Sequence, residues 1–267
     1  MRIVSAFRLT CLESTASTNE VVKQLIEAGE PAGAAVRAYE QTGGYGRQGR
    51  AWASPAGGMY QSLLLRPDMH ARATDLSTVT LVAGLAARAA LKEAAKYCEA
   101  QVKWPNDIVC THGKLCGISS EAYRGALCIG IGINVFEPAT APDITGGNMP
   151  AYLVDFTPPF KHDRCVEEDG LSHIQRGFVD YVGDAVLDEF ERRYDMWCRE
   201  GFAAFIDEYR AHMAMRGAYV EVENRAGGLI AAGEVANVDE DGCLLLSCDQ
   251  GLVPVASGEA HIAKRAV

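Results

Sequence analysis

Residues 43–55 read Gly43-Gly44-Tyr45-Gly46-Arg47-Gln48-Gly49-Arg50-Ala51-Trp52-Ala53-Ser54-Pro55. Their reading decides between two folds. Gly44, Gly46 and Gly49 meet the G-x-G-x-x-G spacing of a dinucleotide-binding turn, and Asp68 stands near the distance of a ribose-binding acid. That fingerprint requires its third glycine to open a helix. Pro55, Gly57 and Gly58 forbid a long helix after Gly49. The pattern therefore argues against a Rossmann sheet. A Walker loop fails too, because Gly113-Lys114 runs into Leu115 and has no glycine five residues upstream.

What stays is a glycine-rich loop carrying the guanidinium groups of Arg47 and Arg50. Such groups bind carboxylate and phosphate bidentately. The four glycines from Gly43 to Gly49 predict a segment that is mobile until an anion is enclosed. The surrounding charge sharpens the signal. The chain has 267 residues, with 25 basic and 35 acidic side chains and a net charge of −10. A field of that sign opposes non-specific binding to nucleic acid or an anionic membrane. Nine cysteines, an odd number with no C-x-x-C, suit reduced and buried thiols in a cytoplasmic protein.

Working outward, Ile3–Leu12 reads as a first strand. Ser17-Thr18-Asn19-Glu20 has helix-cap spacing before the apolar stripe Val21, Val22, Leu25 and Ile26. Short strands are expected at 34–39 and 60–65, then an Ala-rich helix from Leu76 to Ala100. Lys103-Trp104-Pro105-Asn106-Asp107 forms a turn, and residues 108–110 and 114–121 form a hairpin. Leu127–Val135 is apolar almost throughout, as in a buried central strand. Residues 137–176 hold five of the ten prolines and read as an insertion or loop. Helices are expected at 180–198 and 202–215. From Gly217, evenly spaced short strands predict a small all-β barrel.

Several motifs have chemistry within reach. Lys103, Asn106 and Asp107 gather a cation, an amide and a carboxylate at one turn, although a plain Asx turn makes the same pattern. Lys114-Leu115-Cys116-Gly117-Ile118 puts a lysine at the start of a strand and a glycine where a ligand can come close. Gly130-Ile131-Gly132-Ile133-Asn134 spends two glycines inside a buried strand, which points to a flat ligand or a second backbone lying against the sheet.

Taken in order, these motifs resemble those of the biotin protein ligases: S-T-N, Q-x-x-G-R-G-R-x-G-R-x-W-x-S-P, K-W-P-N-D, K-L-x-G-I and G-I-G-x-N. They stand here as Ser17–Asn19, Gln41 with Gly44–Pro55, Lys103–Asp107, Lys114–Ile118 and Gly130–Asn134. The resemblance implies an α+β fold. Its catalytic domain has a mixed β-sheet of the class II aminoacyl-tRNA-synthetase-like, biotin–lipoate ligase type, with helices on the sheet. A small C-terminal all-β, SH3-like barrel follows. The domains expected are 1–215 and 216–267.

It further implies that biotin is activated by ATP to biotinyl-5′-AMP and passed to a lysine of a carrier domain. Lys114, Arg47 and Lys103 would be catalytic. Biotin would meet Ser17, Thr18, Asn19, Gln41, Gly44, Tyr45, Gly46, Arg47, Lys114, Gly117, Gly130 and Gly132, the last three leaving room for its bicycle. ATP and the adenylate would meet Arg47, Arg50, Trp52, Lys103, Asn106, Asp107 and Asn134, with Asp107 as the candidate Mg²⁺ ligand. The implied partner is the biotin-carrier domain of biotin-dependent carboxylases, with a homodimer compatible and no nucleic acid or membrane. The expected form is ligase-only, without a winged-helix module, and cytoplasmic.

Three departures stand out. Tyr45 replaces the first arginine of G-R-G-R, and Cys116 and Ser119 would make the pocket wall more polar. Two other readings compete. One is a lipoate or octanoyl ligase or transferase of the same fold, whose motifs lack the R-x-G-R-x-W-x-S-P and K-W-P-N-D pieces. The other is a biotin- or nucleotide-binding module without turnover.

Overall fold

In the computed structural model, residues 2–4, 6–67, 73–140, 149–160, 163–168, 170–224 and 226–263 are described. Asp68 and parts of the 137–176 segment lie outside them. In chain order the elements are β1 (Arg2–Val4), β2 (Phe7–Leu12), α1 (Thr18–Glu27), β3 (Ala34–Ala38), β4 (Gly58–Leu65) and α2 (Ala73–Ala94). Then come β5 (Gln101–Lys103), β6 (Asp107–Cys110), β7 (Gly113–Tyr123), β8 (Ala126–Asn134), α3 (His173–Glu200) and α4 (Ile206–Ala211). The chain closes with β9 (Tyr219–Glu223), β10 (Leu229–Val238), β11 (Leu244–Cys248), β12 (Gly251–Val255) and β13 (Glu259–Ile262).

Eight strands form one mixed sheet in the order β1-β2-β3-β4-β8-β7-β6-β5. Only β2 and β3 pair in parallel. Strand alternation then sorts side chains to two faces. On β8, Leu127, Ile129, Ile131 and Ile133 enter the large core beneath α2 and α3. Ala126 and Cys128 point the other way and pack with Val22 and Ile26 of α1. Gly130 continues that second face beneath Asn19, in the first turn of α1, and Gly132 continues it past the end of the helix. A cleft therefore opens where the helix gives way to small residues. The remaining five strands form an antiparallel sheet, β12-β11-β10-β9-β13, the all-β unit expected at the C-terminus. Its inner residues Val220, Val222, Val235, Leu244 and Leu246 belong to the same core. Trp104 Nε1 donates to Gly242 O at 2.9 Å and fastens it beside the Lys103–Asp107 turn.

Several boundaries differ from the sequence expectation. The single strand at 3–12 is an antiparallel pair, β1 on β2, with Ile3 opposite Arg8. The Ala-rich helix ends at Ala94. α3 starts at His173, inside the expected insertion, because Ser172 and Gln175 close a full capping box. The segment before it holds 3₁₀ turns at Leu153–Phe156 and Pro158–Phe160. The helix expected at 202–215 is a 3₁₀ turn followed by the six residues of α4. Strand β13 was not foreseen. None of the nine cysteines forms a disulfide, but Cys11, Cys165 and Cys198 are exposed and Cys110, Cys243 and Cys248 half-buried rather than buried.

Candidate active site

The glycine-rich loop is a small hairpin. Tyr45 bridges Ala51 antiparallel, Gly46 N donates to Arg50 O at 2.8 Å and Trp52 N to Gly44 O at 2.9 Å. Its tip turns through Gln48 and Gly49, both at positive φ. At Gly44 any Cβ would lie 2.3 Å from Ser54 Oγ and 2.8 Å from Trp52 O, so only glycine closes this turn. Three side chains tether it. Tyr45 reaches α1, Arg47 Nη1 donates to Asn106 Oδ1 at 3.2 Å, and Arg50 pairs with Glu259 of the C-terminal sheet. The loop, expected to be mobile until an anion is enclosed, makes cross-strand and side-chain bonds here that oppose the entropy of its four glycines.

The floor of the cleft is built in rows across the strands. Ser62 of β4, Gly130 of β8 and Ser119 of β7 stand in register. Their small side chains leave a notch that receives Asn19. Asn19 Oδ1 accepts from Ser62 Oγ at 2.6 Å, and its Nδ2 donates to Ser119 Oγ at 3.2 Å and Glu121 Oε1 at 3.0 Å. Thr18 Oγ1 and Ser62 Oγ are 2.7 Å apart. Ser17 is the N-cap residue of α1 but its side chain makes no cap bond. Gln41 does that work from a distance: its Oε1 accepts from Thr18 N at 2.8 Å while its Nε2 donates to Ser54 Oγ at 2.9 Å. Ser62 and Glu121 were missed in the sequence. A lone serine before Leu63-Leu64-Leu65, falling on the face of Gly130, was the available signal.

The next row is Tyr60, Gly132, Gly117 and Asp107. Trp52 lies on its two glycines: a Cβ at Gly132 would meet Trp52 Nε1 at 2.7 Å, and one at Gly117 its ring at 3.0 Å. The glycines expected to make room for a bicycle thus seat the indole in this structure. Trp52 Nε1 is buried and, among the described residues, meets no hydrogen-bond partner.

Along the far side runs a cationic shelf. Lys114 Nζ is 2.7 Å from Asp107 Oδ1 and 4.9 Å from the centre of the Trp52 ring. A β-bulge between Ile108 and Val109 brings Lys114 opposite Val109. Leu115 and Cys116 both enter the core, so Cys116 is not part of the pocket wall, whereas Ser119 is. Burial pulls the Lys103 ammonium below lysine's ordinary value, and Lys114 adds to that, against the pull of Asp107. Burial also lowers Arg47. Asn134 Nδ2 donates to Lys114 O at 3.0 Å and Asn106 Nδ2 to Ile118 O at 2.9 Å, so both amides brace β7.

The residues expected from sequence to meet biotin or the nucleotide, Ser17 to Asn134, line one cleft of about 720 Å³, joined by Glu259, Ala260 and His261 of the C-terminal sheet. A neutral, hydrogen-bonding notch stands at one end. At the other stand Arg47, Lys103 and Lys114 near Asp107, with Arg50 paired to Glu259. That arrangement suits a ligand with a polar uncharged head and an anionic tail, beside a second anion. No group of three His, Cys, Asp or Glu able to hold a metal occurs among the described residues. A Mg²⁺ that takes most of its oxygens from phosphate and water still fits Asp107.

One expected result follows for Lys103. Its lowered value means that the unfolded chain holds this proton more tightly, so the contribution of Lys103 to stability rises as pH climbs into the window just below 10.5. Lys103→Met should abolish that rise and weaken nucleotide binding. Thermal unfolding between about pH 7 and pH 10 checks it; a variant with the parent's pH slope would contradict it.

Residues 11–135 match the model of the "Biotin/lipoate A/B protein ligase family". The chain is 32% identical over 253 residues to a biotin–[acetyl-CoA-carboxylase] ligase of Paracoccus denitrificans, covering 92% of this chain and 97% of that protein. It is 28% identical over 252 residues to the bifunctional ligase/repressor of Bacillus subtilis, covering 92% of this chain and 71% of the relative. Among solved structures, the biotin protein ligase of Aquifex aeolicus in complex with biotin and ATP aligns with a TM-score of 0.74 and 26% identity, over 95% of this chain and 97% of that one.

Proposed function

Because this chain belongs to the biotin protein ligases of the biotin/lipoate A/B protein ligase family, we propose how its own cleft carries out ATP-dependent biotin ligation. The observation that supports it most is the pairing, in one cleft, of the Asn19 notch with the Lys114 shelf. A cyclic urea is neutral and both donates and accepts hydrogen bonds, which matches the hydroxyls and amides of Thr18, Asn19, Gln41 and Ser119. Biotin's valeryl chain then leads its carboxylate toward Lys114 and Arg47. ATP, arriving with Mg²⁺, places its phosphates by Arg47, Arg50 and Lys103, and Trp52 offers an aromatic face to the nucleotide.

In the first step a biotin carboxylate oxygen attacks the α-phosphorus, and the bond to pyrophosphate breaks. Negative charge gathers between two anions that repel one another in water. The ammonium of Lys114 and the guanidinium of Arg47 offset that repulsion, more strongly in a cleft from which water is excluded. Asp107 holds the Lys114 amine in place. In the second step a lysine amine of the carrier domain attacks the acyl carbon of the mixed anhydride. An amide forms, AMP leaves, and the amine proton passes to solvent. We take residues 1–215 as the catalytic unit and 216–267 as a unit that closes one rim of the cleft through Glu259.

The carrier domain of a biotin-dependent carboxylase is the acceptor, and a homodimer is compatible with this reading. The net charge of −10 argues against nucleic acid as a partner. Nine cysteines outside any disulfide suit a cytoplasmic setting. Among the described residues no helix is long and apolar enough to cross a membrane.

Exchange of pyrophosphate into ATP tests the reading. Biotin should support it in the presence of Mg²⁺. Lipoate, whose ring has no urea to satisfy the buried notch, should be worse by on the order of 10⁴ in kcat/KM. Equal exchange with lipoate would move the chain to the lipoate side of its family. Biotin binding without exchange would make it a binding module.

A further inference from the structure

Lys23, on α1, lies outside the motifs above, yet it joins the two halves of the site. Its ammonium uses its full set of donors. It donates to Tyr45 Oη at 2.8 Å and to Glu20 Oε1 at 3.0 Å, and it pairs with Glu121 Oε2 at 2.8 Å. Tyr45 Oη in turn donates to Glu20. The other oxygen of Glu121 accepts from Asn19 Nδ2. An unbroken chain of polar contacts thus runs from the glycine hairpin at Tyr45, through Lys23 and Glu121, to Asn19 in the notch. Lys23 also lies 5.3 Å from the centre of the Tyr45 ring, in a cation–π contact. Only 17% of its side chain is exposed. Glu121, Tyr45 and Glu20 hold its proton more firmly than usual, outweighing the burial that works the other way.

The three tethers of the hairpin differ in what an anion would do to them. Arg47 is held by Asn106 and Arg50 by Glu259, and both guanidinium groups are ones that phosphate would claim. The Tyr45 tether uses α1 and β7, away from the cationic shelf. It can persist while the other two exchange partners.

We infer that Lys23 is a positioning residue that, through Tyr45 and Glu121, keeps the glycine hairpin in register with Asn19 while Arg47 and Arg50 exchange their protein partners for phosphate. This rests on the ligase reading above. It also gives Tyr45 a part to play where the family's pattern has arginine: the positive charge comes from the helix, and the loop supplies a phenol to hold it. The anchor carries no charge to the reacting atoms, so its loss should loosen ligand binding and leave the chemistry of bound substrates intact.

The test uses the full chain with Lys23→Met, Lys23→Arg and Tyr45→Phe. In biotin-dependent exchange, Lys23→Met should raise the KM for biotin about tenfold, with kcat within about twofold. AMP release in the absence of acceptor, which reports escape of the adenylate, should rise by a similar factor. Lys23→Arg should recover most of the loss. Trypsin should cut the ligand-free Tyr45→Phe and Lys23→Met variants at Arg47 or Arg50 about tenfold faster than the parent, and the double variant no faster than either. A fall in melting temperature with no change in KM, adenylate escape or cleavage would overturn the proposal. So would strictly additive effects of the two substitutions. A parent that shows no exchange would overturn the ligase reading, and the cleavage rates would still decide the anchor.

Discussion

Lys114→Ala should slow biotin adenylation by roughly a hundred- to a thousandfold, the loss of about 2.7–4 kcal/mol seen when one preorganised donor is removed from a developing oxyanion. The Lys114 amine has 16% of its side chain exposed and is fixed from two sides, by Asp107 at 2.7 Å and by the face of Trp52. Its strand is fixed as well, since Lys114 N donates to Met149 O and Asn134 holds its carbonyl. Little reorganisation is then needed when carboxylate and α-phosphate meet. Folding should change little, because Asp107 still has Lys103 and Arg47 nearby. Lys114→Arg should restore only part of the rate, as a planar fork cannot replace a point charge. The measurement is single-turnover adenylation with a melting curve in parallel. A rate for Lys114→Ala within a few-fold of the parent would remove the lysine from the reaction.

Arg37→Ala should have its large effect on stability instead. Arg37 is wholly buried in β3. Its Nε donates to Gln61 Oε1, its Nη1 to Asp180 and its Nη2 to Asp184, each at 2.9 Å. Gly183 makes the approach possible, since a Cβ there would sit 2.4 Å from the guanidinium carbon. Asp180 and Asp184 keep 28% and 18% of their side chains exposed, so water can solvate them in part once the arginine is gone. That places the cost near the lower end for a broken buried pair, about 3 kcal/mol. For a chain of this size it is about 6–12 °C in melting temperature. Arg37 faces α3 and not the cleft, so exchange activity of the folded fraction should stay near that of the parent. A melting temperature within about 2 °C of the parent would show that α3 does not depend on this pair for its seat.

The motif residues were legible because each is tied to a local pattern. Pro55 with Gly57 and Gly58 excluded a helix after the glycine loop, and the apolar run of β8 announced a central strand. Helix ends were harder. Ser172 and Gln175 mark the start of α3 plainly, but prolines upstream masked the periodicity between them and Asp180. Strand β13 is four residues long and too short to show alternation, yet it brings Glu259 to Arg50.

By itself the sequence determined the small all-β unit at the C-terminus, the set of cations that gather in a chain of net negative charge, and the two pairs of residues, Gly130 with Gly132 and Lys103 with Lys114, that the site is built on. These depend on composition and on spacing along the chain. The tertiary structure alone decided which way Lys114 points. Strict alternation from Gly117 would send Leu115 into the cleft and Lys114 into the core; the bulge opposite Val109 reverses both. It alone set Ser62, Gly130 and Ser119 in one row, laid Trp52 on the glycines, and joined Lys23 to Tyr45 and Glu121. Each of these is a contact between strands or between a helix and a strand, fixed by register and by which small residues fall opposite one another. Spacing within one segment carries no information about that register, because it is settled only when the strands pair and their buried faces are shared.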